Sequence, residues 1–284
     1  MILLISAIVA YILIYICFKF IDVFKIDNTV SILWNYLVAS LTGFLVFGVD
    51  FQALISAPWL PIAIVVGLIF YGVFHLFAIC SQKISITMTA MSSKMSVIIP
   101  VTVSLIIFSE MLTTVKIIGI VLTLLSLFLI LKPDRNNPID KKYRIVPILI
   151  FIFTGISDTL IKYAQSSHGI TDSIDSARFV STLFGISFLV ALLAVPFVKV
   201  KPKAYFLPRN VLGGFILGLV NFFAVFLFTY SMINYEGSYF FPIFNSGVVA
   251  GSALMGFMFF KERLTKINLI GLLLATIAII TMNL

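Results

Sequence analysis

From residue 2 to residue 282 the chain runs in apolar stretches separated by short polar gaps. Each stretch is roughly 17 to 25 residues long, which is the length an α-helix needs to cross a hydrocarbon core about 30 Å thick. Lipid offers the backbone no hydrogen-bonding partner, so runs of this kind fold as helices or as closed β-barrels. Barrel strands are shorter and alternate apolar with polar residues, a pattern these unbroken runs lack. The fold class that follows is an all-α integral membrane protein. Composition agrees, since 61% of the 284 residues are hydrophobic, 11% are charged and the mean hydropathy is +1.18. A soluble domain carries about 25% charged residues.

Ten spans can be drawn, at 2–20, 29–49, 59–81, 85–108, 114–131, 145–165, 174–198, 210–234, 238–260 and 266–282. The first, "MILLISAIVAYILIYICFKF", has no basic leader and no small-residue cleavage site, and reads as an uncleaved first helix. The net charge of +8 sits almost wholly in loops beside the spans, where it marks topology and calls for no nucleic acid. The two cysteines, Cys17 and Cys80, each lie inside an apolar span, which speaks against a disulfide framework or a thiolate metal site.

The chain also reads as built twice. A shift of 152 residues lays "EMLTTVKIIGIVL" (110–122) on "ERLTKINLIGLLL" (262–274), with six of thirteen positions identical. A second match, at a shift of 151, sets Gly67-Leu68 and Leu76-Phe77 on Gly218-Leu219 and Leu227-Phe228. The polar stretch "KPDRNNPIDKKYR" (132–144) divides the spans into fives, giving a first five-helix repeat at 1–131, a charged linker at 132–144 and a second repeat at 145–284. Five is odd, so the second copy enters from the opposite face, and the expected architecture is an inverted repeat of two five-helix bundles. Of the lysines and arginines, fifteen fall on the linker side and three at most on the other. The positive-inside rule then puts the linker in the cytoplasm and both termini outside.

Ten helices in two fives, the paired helix-end "E-x-L-T" with a glycine in the span that follows, and very short 3–4 and 8–9 turns resemble the drug/metabolite transporter superfamily, in particular its EamA-type branch. The residues that carry the likeness are Glu110, Leu112, Gly119, Glu262, Leu264 and Gly271. The resemblance implies a ten-helix secondary transporter with a central cavity, to which the third, fourth, eighth and ninth helices usually contribute. It names no substrate, since members handle amino acids, drugs, sugars and nucleotide-linked metabolites. It also implies termini in the cytoplasm, the reverse of what the charges here argue.

Lys94 is the sharpest single candidate for a substrate-binding residue, because an ammonium near the middle of a span costs at least about 2.5 kcal/mol. It shares a helical face with Thr87, Met91, Ile98 and Val101, while Ser85, Thr89, Ser92, Ser96 and Val103 offer the opposite face for close helix contact. The arrangement leaves Lys94 to face a cavity and anchor a carboxylate or phosphate, or else to form a structural ion pair. In the sixth span Asp158 and Lys162 stand four apart in the acid-first order that suits a helical pair. Self-neutralisation is the simpler reading, and proton or cation coupling at Asp158 the other. Arg178 shares a face with Ser181, Thr182 and Gly185, and suits either the interface or a substrate. Tyr71 and His75 align in the third span, and Asn221, Tyr239 and Asn245 offer polar groups in the eighth and ninth; all five are candidates to line a binding site. Pro100 and Pro242 interrupt the ladders of the fourth and ninth spans, and the Gly214/Gly218 and Gly247/Gly251 spacings allow close helix approach.

Three function classes remain. The first is a secondary transporter working by alternating access on a small anionic or zwitterionic metabolite, such as an amino acid or organic acid; a flippase of a lipid-linked metabolite is its variant. It needs the bilayer, a small-molecule substrate, a proton or cation as coupling ion, and no cofactor or metal. The second is an intramembrane enzyme, for which no histidine pair at metal-ligand spacing and no G-x-S-x-G stands in the sequence. The third is a channel, which would need a charged ring or filter motif that is not evident.

Overall fold

The structure is a computed structural model, and it describes residues 1–48, 50–84, 86–107, 113–130, 141–198, 200–260 and 266–282. The described residues are helical, with short turns and 3-10 segments between helices. The E-x-L-T pair (Glu110, Leu112, Glu262, Leu264) and most of the linker lie outside them.

Among the described residues, six helices are long and apolar enough to cross a membrane, over Ile2–Val23, Asn28–Phe47, Leu60–Cys80, Ile145–Ser167, Ser173–Phe197 and Pro208–Asn234. The chain packs as two compact units, Met1–Ala78 with Leu160–Ile233 and Ile79–Thr159 with Asn234–Leu284. Each takes segments from both halves of the sequence, so compactness does not follow the two fives.

The first unit holds α1 (Ile2–Val23), α2 (Asn28–Phe47), the short α3 (Phe51–Ile55), most of α4 (Leu60–Lys83), α9 (Ser173–Ala194) and α10 (Pro208–Ser231). Helix starts follow local chemistry. The Asp27 carboxylate accepts from the Val30 N–H at 3.1 Å and the Asp172 carboxylate from the Asp175 N–H at 2.8 Å, each satisfying one orphan donor of its helix. Gly48, at φ +79°, ends α2 in a conformation a side chain would resist. Packing centres on α2, which lies against both α9 and α10.

Two glycines set that packing. A β-carbon on Gly67 of α4 would meet the Leu183 carbonyl oxygen at 2.6 Å and the Ile186 Cβ at 2.8 Å. One on Gly218 of α10 would meet the Asn35 carbonyl oxygen at 2.7 Å and the Val38 Cβ at 2.8 Å. In both cases a helix backbone rests on a carbonyl and on a β-branched residue three positions later. Gly214 sits one turn before Gly218 on the same helix, against the Ser31 carbonyl oxygen, so this spacing is used for internal packing. Side-chain hydrogen bonds tie the same helices. The Tyr36 hydroxyl donates to the Phe70 carbonyl at 2.8 Å, Ser40 to that of Ser181 at 2.9 Å, and Ser187 to that of Gly67 at 2.8 Å.

The second unit holds α5 (Ile86–Met95), α6 (Ile98–Ile107), α7 (Thr114–Ile130), the first part of α8 (Ile145–Ser167), α11 (Gly237–Phe260) and α12 (Lys266–Met282). Here α7 pairs with α12, and α11 packs on α5, α6, α7 and α12. At Gly155, α8 comes so close to Ile99 of α6 that no side chain would fit. Phe240, Phe241 and Phe244 fill the core of α11, with Phe240 and Phe244 stacked at 5.6 Å.

One expectation is corrected. The fourth span is not a single helix but α5 and α6, separated at Ser96–Val97. Pro100 is the cause, since the N–H that would reach the Ser96 carbonyl is missing and the ring crowds that oxygen. The Ile99 N–H takes the Ser96 carbonyl instead, at 2.9 Å, in a tighter turn. Pro242, by contrast, sits inside an unbroken α11.

Candidate functional site

The break between α5 and α6 places Lys94 in the last turn of α5. The closing carbonyls of a helix carry partial negative charge, and a cation there is favoured. Ile98, on the same helical stripe, is 46% exposed, whereas Lys94 is 2% exposed. Its Nζ lies 5.1 Å from the centroid of the Phe244 ring on α11, a cation–π contact that burial strengthens. Asp158 on α8 is 8% exposed and close enough for its charge and that of Lys94 to attract.

Asp158 meets the charge of Lys94 from α5, and Lys162, one turn along α8, donates to Gln165 Oε1 at 2.9 Å. Three helices of one unit thus carry buried polar side chains: Lys94 on α5, Asp158 on α8, and Asn245, next to Phe244, on α11. Asn245 is 1% exposed; its Nδ2 donates to the Phe241 carbonyl at 2.8 Å, and its Oδ1 has no partner. The Ser157 and Thr154 hydroxyls, beside Asp158 and one turn before it, are likewise buried without a partner. Buried polar atoms are usually satisfied, and these three belong to a longer set of buried side-chain atoms without a partner among the described residues.

Other expected site residues stand elsewhere. Tyr71 and His75 line a small cleft in the first unit, together with Thr29, Leu33, Ala191 and Tyr205. The His75 Nδ1 is 2.9 Å from the Tyr71 carbonyl oxygen. That oxygen only accepts, so Nδ1 carries a proton and donates it there. Burial, and then the Asp27 carboxylate, holds the Tyr205 phenol above its ordinary value, so it remains a hydroxyl. Asn221 bridges α10 to α2, donating from Nδ2 to Asn35 Oδ1 at 3.1 Å. Arg178 lies 4.0 Å from Asp175 near the start of α9, with both side chains about one quarter exposed at 25% and 29%. Tyr239 stacks on Tyr235 at 5.5 Å, at the first turn of α11.

Sequence reasoning missed Phe244, Ser157 and Asn35. Asn35 had a signal of its own, a carboxamide inside an apolar span. Phe244 had none, being one of 29 phenylalanines.

A solved crystal structure of a protein matches 99% of this chain and 94% of its own with a TM-score of 0.75. At 12% identity that likeness carries the fold alone. An uncharacterized protein of Haemophilus influenzae is 27% identical over 259 residues, 88% of this chain and 86% of that protein. The sequence model of the EamA-like transporter family matches residues 143–284. With half of its residues matched and helices of membrane length on both sides of that boundary, the chain belongs to the EamA-like transporter family, multi-pass membrane transporters of small molecules.

Proposed function

We propose that the chain is a secondary carrier working by alternating access, and that its cargo is a small metabolite bearing an anionic group, alone or as one end of a zwitterion such as an amino acid. The observation that carries this reading is Lys94, a 2%-exposed ammonium held at a helix break within a span. Ionisable groups are expensive in such places and mark the path of a solute. Interrupted helices near the midplane are where transporters of repeated architecture bind their substrates. We assign Lys94, Asp158 and Asn245 to the substrate site. Tyr71 and His75 belong to a separate cleft. Asn221, Arg178 and Tyr239 serve packing and helix-end contacts.

The ten-helix, two-repeat architecture is part of the proposal. It draws support from the equivalent seats of Gly67 and Gly218, found independently as a sequence match. The family match beginning at residue 143, beside the expected start of the second repeat, supports it too. So do the 24 residues of α11 and the 17 each of α7 and α12, about 36 and 25 Å long at 1.5 Å per residue. The basic loops favour the inner or plasma membrane, with the linker in the cytoplasm.

The test is solute counterflow in proteoliposomes. A thermal-shift screen of the purified chain against amino acids, organic acids, nucleotides and cationic drugs picks the probe. Trans-stimulated uptake of an anionic or zwitterionic probe is expected. Uptake without trans-stimulation would point to a channel, and chemical conversion of the probe in detergent to an enzyme.

A further inference from the structure

We propose that the cleft of Tyr71, His75 and Tyr205, together with the basic connection between α9 and α10 that lines it, is a docking site for the headgroup of an anionic phospholipid. The inference is independent of what the chain carries and uses residues of the first unit alone.

The connection is held in place against the helices. Two 3-10 turns, Val195–Phe197 and Pro202–Phe206, follow α9. The Trp34 indole N–H of α2 donates to the Tyr205 carbonyl at 2.9 Å, and the Asn210 Nδ2 of α10 to the Ala204 carbonyl at 2.8 Å, so the second turn is fastened at two points. Tyr205 lines the cleft, and its hydroxyl is buried without a hydrogen-bond partner. A buried donor left unmet costs stability, which an acceptor oxygen on a guest restores. Thr29 and Tyr71 add two more hydroxyls to the lining, beside apolar Leu33, Val195 and Val198. The cleft has room for one water-sized group, too little for a whole metabolite. One oxygen of a phosphodiester fits, with the rest of its molecule outside.

What surrounds the opening decides the ligand. From 195 to 209 the connection carries Lys199, Lys201, Lys203 and Arg209 and no acid. Lys201, Lys203 and Arg209 are exposed, and so are Phe197 and Phe206, at 87% and 76%. The Asp27 carboxylate, whose charge reaches Tyr205, is engaged by the Val30 N–H and is outnumbered by these cations. Basic residues and exposed rings set together at the ends of membrane helices suit the headgroup level, with the ammonium groups on phosphate and the rings among the upper acyl chains. A soluble phosphate would use the cations and leave the rings without a partner.

The experiment titrates the purified full chain, in a neutral maltoside detergent, with phospholipids brominated on an acyl chain. Trp59→Phe leaves Trp34, hydrogen-bonded to Tyr205, as the only tryptophan, and contact with bromine quenches its fluorescence. A lysine beside an anionic headgroup is worth about fivefold in binding. Phosphatidylglycerol should therefore half-saturate the quenching at a mole fraction roughly 5- to 30-fold below that of phosphatidylcholine. Lys201→Gln with Lys203→Gln should cut that preference at least about fivefold. Lys141→Gln with Lys142→Gln, the same change of charge on another loop, should leave it in place. Tyr205→Phe should raise half-saturation by both lipids about tenfold, because both present a phosphodiester to the lost hydroxyl. Millimolar inorganic phosphate or glycerol 1-phosphate should not reverse the quenching. Equal half-saturation by the two lipids, equal losses in the two lysine pairs, no effect of Tyr205→Phe, or reversal by soluble phosphate would each overturn the proposal.

Discussion

Replacing Lys94 by Met keeps the length of the side chain and its contact with Phe244 while deleting the charge. Asp158, 8% exposed, is then left buried without the cation it faces. Removing one partner of a buried ion pair costs about 3–5 kcal/mol, and Asp158→Asn, which takes that carboxylate's charge from Lys94, should cost a comparable amount. The double variant Lys94→Met, Asp158→Asn strands neither charge. Its loss should fall below the sum of the single losses, with a coupling energy on the order of 2–3 kcal/mol. Lys94→Met also gives up the cation–π contact, about 0.5–2 kcal/mol, which the double variant does not recover. The assay is reversible unfolding in mixed detergent micelles with rising SDS, followed by far-ultraviolet circular dichroism for all four proteins. Additive losses would refute the reasoning, because they would mean that the two groups do not neutralise each other.

Packing makes its own predictions. Gly67→Val and Gly218→Val each push a side chain into a helix backbone, 2.6 and 2.7 Å from a carbonyl oxygen at the β-carbon alone, and each should cost about 1–3 kcal/mol by the same unfolding assay. Gly72→Ala, with nothing within 4 Å of the added carbon, should be neutral or stabilise by up to about 1 kcal/mol. Asp27→Ala removes the 3.1 Å cap on the Val30 N–H and should lower stability by about 1 kcal/mol, while the Asp27 backbone bond to Asn210 survives.

Much of the helical layout was legible because apolar run length is a local property and lipid leaves the backbone few alternatives. Lys94 was legible for the same reason, as the one charge near the middle of its span. What Lys94 touches was not. Its partners, Asp158 and Phe244, come from helices distant in sequence, and nothing local distinguishes Phe244 from other phenylalanines. The in-helix spacing of Asp158 and Lys162 is a local signal, and it holds no trace of the charge of Lys94 that reaches Asp158 from α5. Pro100 was visible as an interruption. That it would divide the span at Ser96–Val97, just after Lys94, depended on which carbonyl loses its donor and how the next residues recover it. Tyr71 and His75 share a helical face, as their spacing demands, but which unit that face serves was decided by long-range contacts with Ala191 and Tyr205.

The central claim is that Lys94 holds the anionic group of the substrate, and the most direct measurement is counterflow by Lys94→Met with the probe that the wild-type carrier accepts. Loss of a charge-assisted contact worth about 1.5–3 kcal/mol should raise the half-saturating concentration by roughly 10- to 150-fold. The double variant with Asp158→Asn, whose fold the cancelled charges preserve, should be equally impaired. Half-saturation unchanged in both variants would contradict the claim.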